Sequence, residues 1–256
     1  MAKKILEQNM DSMSLSDESP IEVVYIINSL HIGGAEMGMC RLLDGLEPAN
    51  YEVTIVSLDG YEREFVKQIP SWVDIINLHL NSKPDIGTFR RFISAARSAD
   101  VIVGSLFHSA MVARGMGIIN QRAIVATWHH NEEFKTELRR TIFKNTDWLN
   151  DIVLADSDPV SEMLQSELGL RSKAVHTVPI AGIDLDRFPE VRHTDADIVT
   201  VGSIGRVVEQ KNYSTLLEVA EIVPEWITFE IAGDGKQMVE LKHEMQQREI
   251  SNVTFH

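Results

Sequence analysis

The chain has a single cysteine, Cys40, so no disulfide can form within it and a reducing compartment fits. Cationic residues are also in short supply. Against 38 Asp and Glu stand 24 Lys and Arg, for a formal charge of −14. A general nucleic-acid binder needs a basic surface to meet phosphates, so no nucleic acid is expected as a partner. Long apolar runs are missing too, none approaching the roughly 18 residues a membrane span needs. The first twenty residues, ending Ser16-Asp17-Glu18-Ser19-Pro20, lack the apolar segment of a signal peptide and read as a disordered polar tail. A cytoplasmic protein is expected, and any membrane contact would be peripheral.

What is present is a ladder of short Val- and Ile-rich runs: 21–27, 53–58, 73–80, 101–107, 123–128, 152–155, 174–180, 198–204, 227–232 and 253–255. They are continuous rather than alternating, as in strands buried on both faces of a parallel sheet. Helix-length segments separate them. Thr88–Ala99 places Phe89, Phe92, Ile93 and Ala96 on one face, and Asn212–Ile222 does the same with Leu216, Leu217 and Ala220. The alternation predicts an α/β doubly wound architecture. Seven strands fill residues 21–190, a complete Rossmann-like domain. A polar stretch, Glu190–Asp197, reads as a linker, and three strands with two helices over 197–256 make only the first half of a second domain. A C-terminal truncation is therefore expected.

Two loops carry candidate chemistry. After the first strand comes Gly33-Gly34-Ala35-Glu36, whose glycines let backbone approach a ligand at a helix start. It is not the dinucleotide fingerprint, since Gly-x-Gly-x-x-Gly is absent. After the eighth strand, Gly205 is followed by Arg206 and Lys211 just ahead of a helix. Two cations there suit a diphosphate, whose charge grows as it leaves. His108, His129 and His130 each lie at the end of a predicted strand, and Cys40 on a predicted helix.

Taken together the motifs resemble GT-B glycosyltransferases of glycosyltransferase family 4. Gly33-Gly34-Ala35-Glu36 matches the family's N-terminal loop, and Gly205-Arg206 through Lys211 its Gly-Arg-x-x-x-x-Lys signature. Ala232-Gly233-Asp234-Gly235 matches the Gly-x-Gly turn after the next strand. Ala155-Asp156-Ser157-Asp158 and the turn from Val178 to Asp184 stand where the family has a Ser-containing helix cap and a Pro-Asn-Gly-Val-Asp turn, with Ala181 replacing the Asn. The resemblance implies retaining transfer of a sugar from a nucleoside diphosphate sugar to an acceptor hydroxyl of a saccharide or glycolipid, with no metal and no other cofactor. It implies that Gly205, Arg206 and Lys211 hold the donor diphosphate and that Gly33, Gly34 and Glu36 form a substrate loop. His108 would stand near the reacting sugar, and His129 is an acceptor-side candidate. The family's Glu-x₇-Glu element is absent from these 256 residues, so this stretch alone is expected to be inactive.

Three alternatives stand beside that reading. Asp156-Ser157-Asp158 has the form of the Asp-x-Asp metal site of the GT-A fold. With Pro159 following, Asp158 reads instead as a helix N-cap. A sugar-nucleotide epimerase or phosphorylase shares the two-domain fold, and a degenerate member would bind a partner or glycan without catalysis. The middle of the chain is basic, ten Lys and Arg against five acids between Lys83 and Lys144. With Phe89 and Phe92 beside Arg90 and Arg91, it suggests peripheral contact with anionic membrane.

Overall fold

In the computed structural model, residues 19–131, 134–166, 168–170, 175–179 and 197–256 are described. They fall in two compact units, Met1–Asp184 and Leu185–His256. Most of the polar tail, the expected turn from residue 180 on with Ala181, and the linker up to residue 196 lie outside the described residues.

The first unit is built on seven parallel strands: β1 (Ile21–Ile27), β2 (Tyr51–Ser57), β3 (Asp74–Asn77), β4 (Val101–Ser105), β5 (Ile124–His129), β6 (Ile152–Ala155) and β7 (Val175–Thr177). Their order is β3-β2-β1-β4-β5-β6-β7. The direction of winding reverses between β1 and β4, and in open α/β sheets ligands bind beyond the strand C-termini at such a reversal. The helices are α1 (Gly34–Asp44), α2 (Arg63–Val66), α3 (Ile86–Ser98), α4 (Phe107–Ile119), α5 (Glu137–Asn145) and α6 (Asp158–Ser166).

The unbroken apolar run of β1 follows from double winding. Successive strand residues point to opposite faces. Tyr25 and Ile27 pack with Met39, Cys40 and Leu43 of α1 and Phe65 of α2. Val24 and Ile26 pack with Phe92 and Ala96 of α3 and Ala113 of α4. Gly104 lets α4 lie directly on β4: a Cβ at that position would stand 2.6 Å from both the Ala110 Cα and the Ser109 carbonyl oxygen.

Several local expectations shift. Helix α3 starts two residues early because the Asp85 carboxylate accepts from Thr88 N–H at 2.7 Å. Phe92 and Ala96 are buried as expected, but Phe89, in the first turn, is 49% exposed and meets Phe92 edge-on at 6.1 Å. Arg91 pairs with Asp74 at 2.9 Å and stays exposed, as do Ile86, Arg90 and Arg97. At α6, Asp158 is already helical. Ser161 N–H donates to the Ser157 carbonyl at 3.0 Å, which moves the cap one residue toward the N-terminus. No helix among the described residues is long and apolar enough to cross a membrane.

The second unit has three parallel strands in the order β10-β9-β8: β8 (Val199–Ile204), β9 (Ile227–Ala232) and β10 (Val253–Phe255). Helices α7 (Tyr213–Ile222) and α8 (Met238–Gln247) supply its core, in which Tyr213, Leu217, Phe229, Ile231 and Leu241 are buried. Burial of β8 on both faces is not found. Among the described residues it pairs with β9 alone, at the edge of the sheet, and Val199, Val201 and Ile204 are exposed.

Candidate active site

The C-terminal edge of the larger sheet gathers most of the expected residues. Gly33 is the N-cap of α1, in extended backbone at φ −160°, and it has no side-chain cap. Glu36 is buried in the first turn and folds its carboxylate back over the Gly33 α-carbon, where an added Cβ would meet Oε2. The helix start thus holds its own acid, placed where the macrodipole favours it. Gly34 is the open position of the loop, with nothing within 4 Å of where its Cβ would be. Cys40 lies on the core side of α1. Burial, with Asp44 and Glu36 nearby, pushes its thiol up to about 11, which disfavours the thiolate a nucleophile needs.

Across the β1/β4 reversal, the Asn28 side chain clamps the end of β1 to the start of α4. Its Oδ1 accepts from Ser109 N–H at 3.2 Å and from Ser109 Oγ–H at 2.7 Å. The turn into α4 passes through Leu106 at φ 75°, ψ 163°, a region that disfavours any side chain. His108 follows, exposed on the first turn of α4. Arg139 of α5 donates to its Nε2 at 3.3 Å, and the guanidinium lies 5.3 Å from the Phe107 ring centre. Burial, then Arg139 and Lys135, hold the His108 pKa below its ordinary value. The imidazole is therefore neutral at pH 7, the state a sugar hydroxyl contact needs.

His129 and His130 take opposite sides of the sheet. His129 is 6% exposed, its ring 4.8 Å from Phe134 and 5.2 Å from Phe143. It ends β5 packed among aromatic rings, and His130 follows just beyond the strand. His130 Nε2 lies 2.7 Å from Ser105 Oγ, and Nδ1 lies 3.8 Å from Asp156 Oδ2. Burial raises the pKa of Tyr25, and Ser105 opposes that rise. Burial is the leading cause that pushes both histidines down to about 4.

In the second unit, β8 delivers Gly205 and Arg206 into a turn that ends in a 3₁₀ segment, Glu209–Lys211. Asn212, left-handed at φ 51°, then starts α7. Arg206 and Lys211 are both exposed, and neither has an ion-pair partner among the described residues. The Lys211 stem folds over Gly205, its Cε 3.5 Å from where a Gly205 Cβ would stand. Ser203 Oγ and the Tyr213 hydroxyl lie 3.2 Å apart beneath the turn. The turn after β9 packs on this one: Gly205 N–H donates to the Ala232 carbonyl at 3.0 Å and Val207 N–H to the Asp234 carbonyl at 2.9 Å. Gly233 has φ 149°, and a Cβ there would run into the Gly205 carbonyl. Gly233→Ala is accordingly expected to cost about 1–3 kcal/mol and to displace Gly205 and Arg206. A lowered urea midpoint with shifted amide resonances at residues 203–207 would establish this, and an unchanged Gly205 environment would refute it.

Residues 32–187 match the family model described as Glycosyltransferase Family 4. The chain belongs to glycosyltransferase family 4. Solved structures agree in fold. Anabaena HepE, crystallised with UDP and glucose, superposes at a TM-score of 0.71 with 15% identity, over 92% of this chain and 68% of that one. A glycosyltransferase from Rickettsia africae gives 0.70 at 12% identity, over 93% and 68%. The lipopolysaccharide outer core galactosyltransferase WaaB, in its apo form, gives 0.61 at 16%, over 91% and 67%. At these identities the likeness shows the GT-B fold. No curated protein matches the sequence.

Reading the sequence of this family 4 chain missed Ser105, Asp156 and Arg139 as neighbours of the histidines. Period-two alternation through Trp128, His129 and His130 was the signal that separates the two histidines. Among the described residues no cluster of three His, Cys, Asp or Glu is arranged to hold a metal ion.

Proposed function

We propose that the protein transfers a sugar from a nucleoside diphosphate sugar to a hydroxyl of a saccharide or glycolipid acceptor, with retention of configuration and without a metal. The observation that carries this reading is the pair of exposed cations, Arg206 and Lys211, gathered around Gly205 at the C-terminal end of β8. Cations there hold the donor diphosphate and neutralise the charge that grows on it as the glycosidic bond breaks. HepE has been crystallised with UDP-glucose, which supports a uridine nucleotide as the first donor to try. His108, neutral at pH 7 and braced by Arg139, is suited to a hydrogen bond with a hydroxyl of the transferred sugar.

Calorimetric titration of UDP, GDP and ADP into the protein, wild type and Arg206→Ala/Lys211→Ala, tests the reading. One nucleotide is expected to bind, a chelator to leave its affinity unchanged, and the double substitution to weaken it about 100-fold. That figure is conservative for two charge-assisted contacts of about 1.5–3 kcal/mol each. If the folded protein binds none of the three, the chain is a degenerate GT-B protein that engages a partner without transfer.

A further inference from the structure

We propose that Arg139 and Lys135 bind a phosphate group carried by the acceptor, beside His108 at the C-terminal edge of the seven-stranded sheet. That the ligand is the acceptor rests on the glycosyltransferase reading. That it is an anion follows from the residues themselves.

Positive charge is scarce in this chain, yet here it gathers without an acid to balance it. Arg139 donates from Nη2 to His108 Nε2 at 3.3 Å, and its guanidinium lies 5.3 Å from the Phe107 ring centre. Its remaining N–H donors have no partner among the described residues. Lys135 stands near enough to act with Arg139 in lowering the His108 pKa. Neither cation has an ion-pair partner among the described residues, and Glu137, the acid beside them on α5, pairs with Arg140 at 3.6 Å. Lys135 and His108 are exposed and Arg139 is partly so, which opens the cluster to solvent. His108 stands on the first turn of α4, where the macrodipole adds the same sign. Like charges held this close repel one another, and a bound anion replaces that repulsion with attraction.

The residues also select which anion. A phosphate monoester has roughly −1.5 to −2 charges at pH 7, which two full cations balance, and its oxygens accept from a guanidinium and an ammonium at once. A carboxylate brings one charge, a neutral hydroxyl brings none, and a metal cation is repelled. The stack on Phe107 and the bond to His108 hold the guanidinium plane in place before the ligand arrives. With Nε2 accepting from Arg139, the neutral imidazole keeps its hydrogen on Nδ1, free for the sugar hydroxyl assigned to it above. The donor diphosphate has cations of its own in the second unit, Arg206 and Lys211, which leaves Arg139 and Lys135 for a second anion. That second anion belongs to the acceptor, next to the sugar it receives.

The test follows the His108 ring in ¹H–¹³C spectra of the histidine-labelled protein, with His108 assigned through His108→Gln. Its titration midpoint is measured alone and with glucose, glucose 6-phosphate, inorganic phosphate or dihexanoyl phosphatidic acid. UDP binding is measured separately by calorimetry. The free protein is expected to titrate below the ordinary histidine value. A phosphate on Arg139 and Lys135 favours the imidazolium, so glucose 6-phosphate is expected to raise the midpoint saturably while glucose leaves it in place. A response to phosphatidic acid in place of glucose 6-phosphate would support the same site and put the phosphate on a lipid. Arg139→Gln/Lys135→Ala is expected to raise the midpoint of the free protein and to weaken binding of the phosphate ester about 100-fold, tenfold for each cation. An equal response to glucose, a response to inorganic phosphate alone, one that the double variant keeps, or displacement of the ester by UDP would each overturn the proposal. UDP binding that depends on Arg206 and Lys211, with no response to either ester, would sink this inference and leave the donor-site reading standing. The reverse pattern would sink the donor-site reading and leave a phosphate site.

Discussion

Arg114→Ala is expected to lower the unfolding free energy by about 3–5 kcal/mol, the usual result of removing one partner from a buried ion pair. Arg114 is on α4 and is 0% exposed. Its Nη1 donates to the Phe143 carbonyl at 2.6 Å and to Thr146 Oγ1 at 2.8 Å. The guanidinium lies 4.1 Å from the Phe143 ring centre and its Nη2 is 3.6 Å from Asp147 Oδ1. One side chain thus bonds the Phe143 carbonyl in the last turn of α5 and the Thr146 hydroxyl, stacks on the Phe143 ring and faces the acid that follows. Burial pulls its pKa down to about 10, and Asp147 opposes that fall, so the group is charged at neutral pH. Truncation leaves a cavity, takes the short hydrogen bond from the Phe143 carbonyl and leaves the Asp147 carboxylate without the cation it faces. Arg114→Met keeps most of the volume and is expected to lose less than Arg114→Ala. Urea unfolding at pH 7 would measure both. Equal midpoints for wild type and Arg114→Ala would show that the guanidinium contributes nothing to holding α5 on α4.

Acid is expected to destabilise the protein between about pH 6.5 and pH 4 through two histidines. Burial pushes both His129 and His130 down to about 4 in the folded chain, whereas in the unfolded chain each titrates at its ordinary value. Above pH 6.5 both states are neutral at these rings, and stability does not depend on pH through them. As pH falls, the unfolded state takes up as many as two protons that the native state refuses, so stability declines, and below about pH 4 this contribution levels off. Each histidine is worth on the order of 3 kcal/mol across the window. His129→Phe separates the two. A phenyl ring packs against Phe134 and Phe143 in place of the imidazole and removes the buried Nε2, which has no hydrogen-bond partner among the described residues. The variant is expected to match or exceed wild type at pH 7 and to lose about half of the acid dependence. Urea midpoints measured from pH 7 to pH 4.5 decide it. A wild-type midpoint flat across that range would contradict the burial of both rings.

The architecture was legible in the sequence wherever a short continuous apolar run met a glycine-bearing turn. β1 and its loop to Gly33, and β8 with Gly205 through Lys211, could be read locally because strand, turn and helix start are all contiguous. What could not be read depends on residues far along the chain. Arg114 and Arg122 look alike in sequence, and only the Phe143 carbonyl and Thr146, some thirty residues later, make one of them a buried staple. The same holds for the adjacent histidines. Alternation shows that they face opposite sides, but the distant Phe134 and Phe143 make the surroundings of His129 aromatic, while Ser105 and Asp156 make those of His130 polar. β8 misled because Val and Ile at an edge strand look like Val and Ile in the middle of a sheet.

The placement of β1 at the point where the winding reverses has a consequence for the order of synthesis. Asn28 and Ser109, the residues that clamp β1 to α4, are 81 positions apart. At a synthesis rate of roughly 5–20 residues per second, about 4–16 s separate their appearance. Through that interval β1 can pair with β2 on one side only, and its other edge, with Ile26 and Ile27, stays open to whatever strand arrives first. The nascent chain therefore carries β1 with one edge unpaired until β4 emerges to close it.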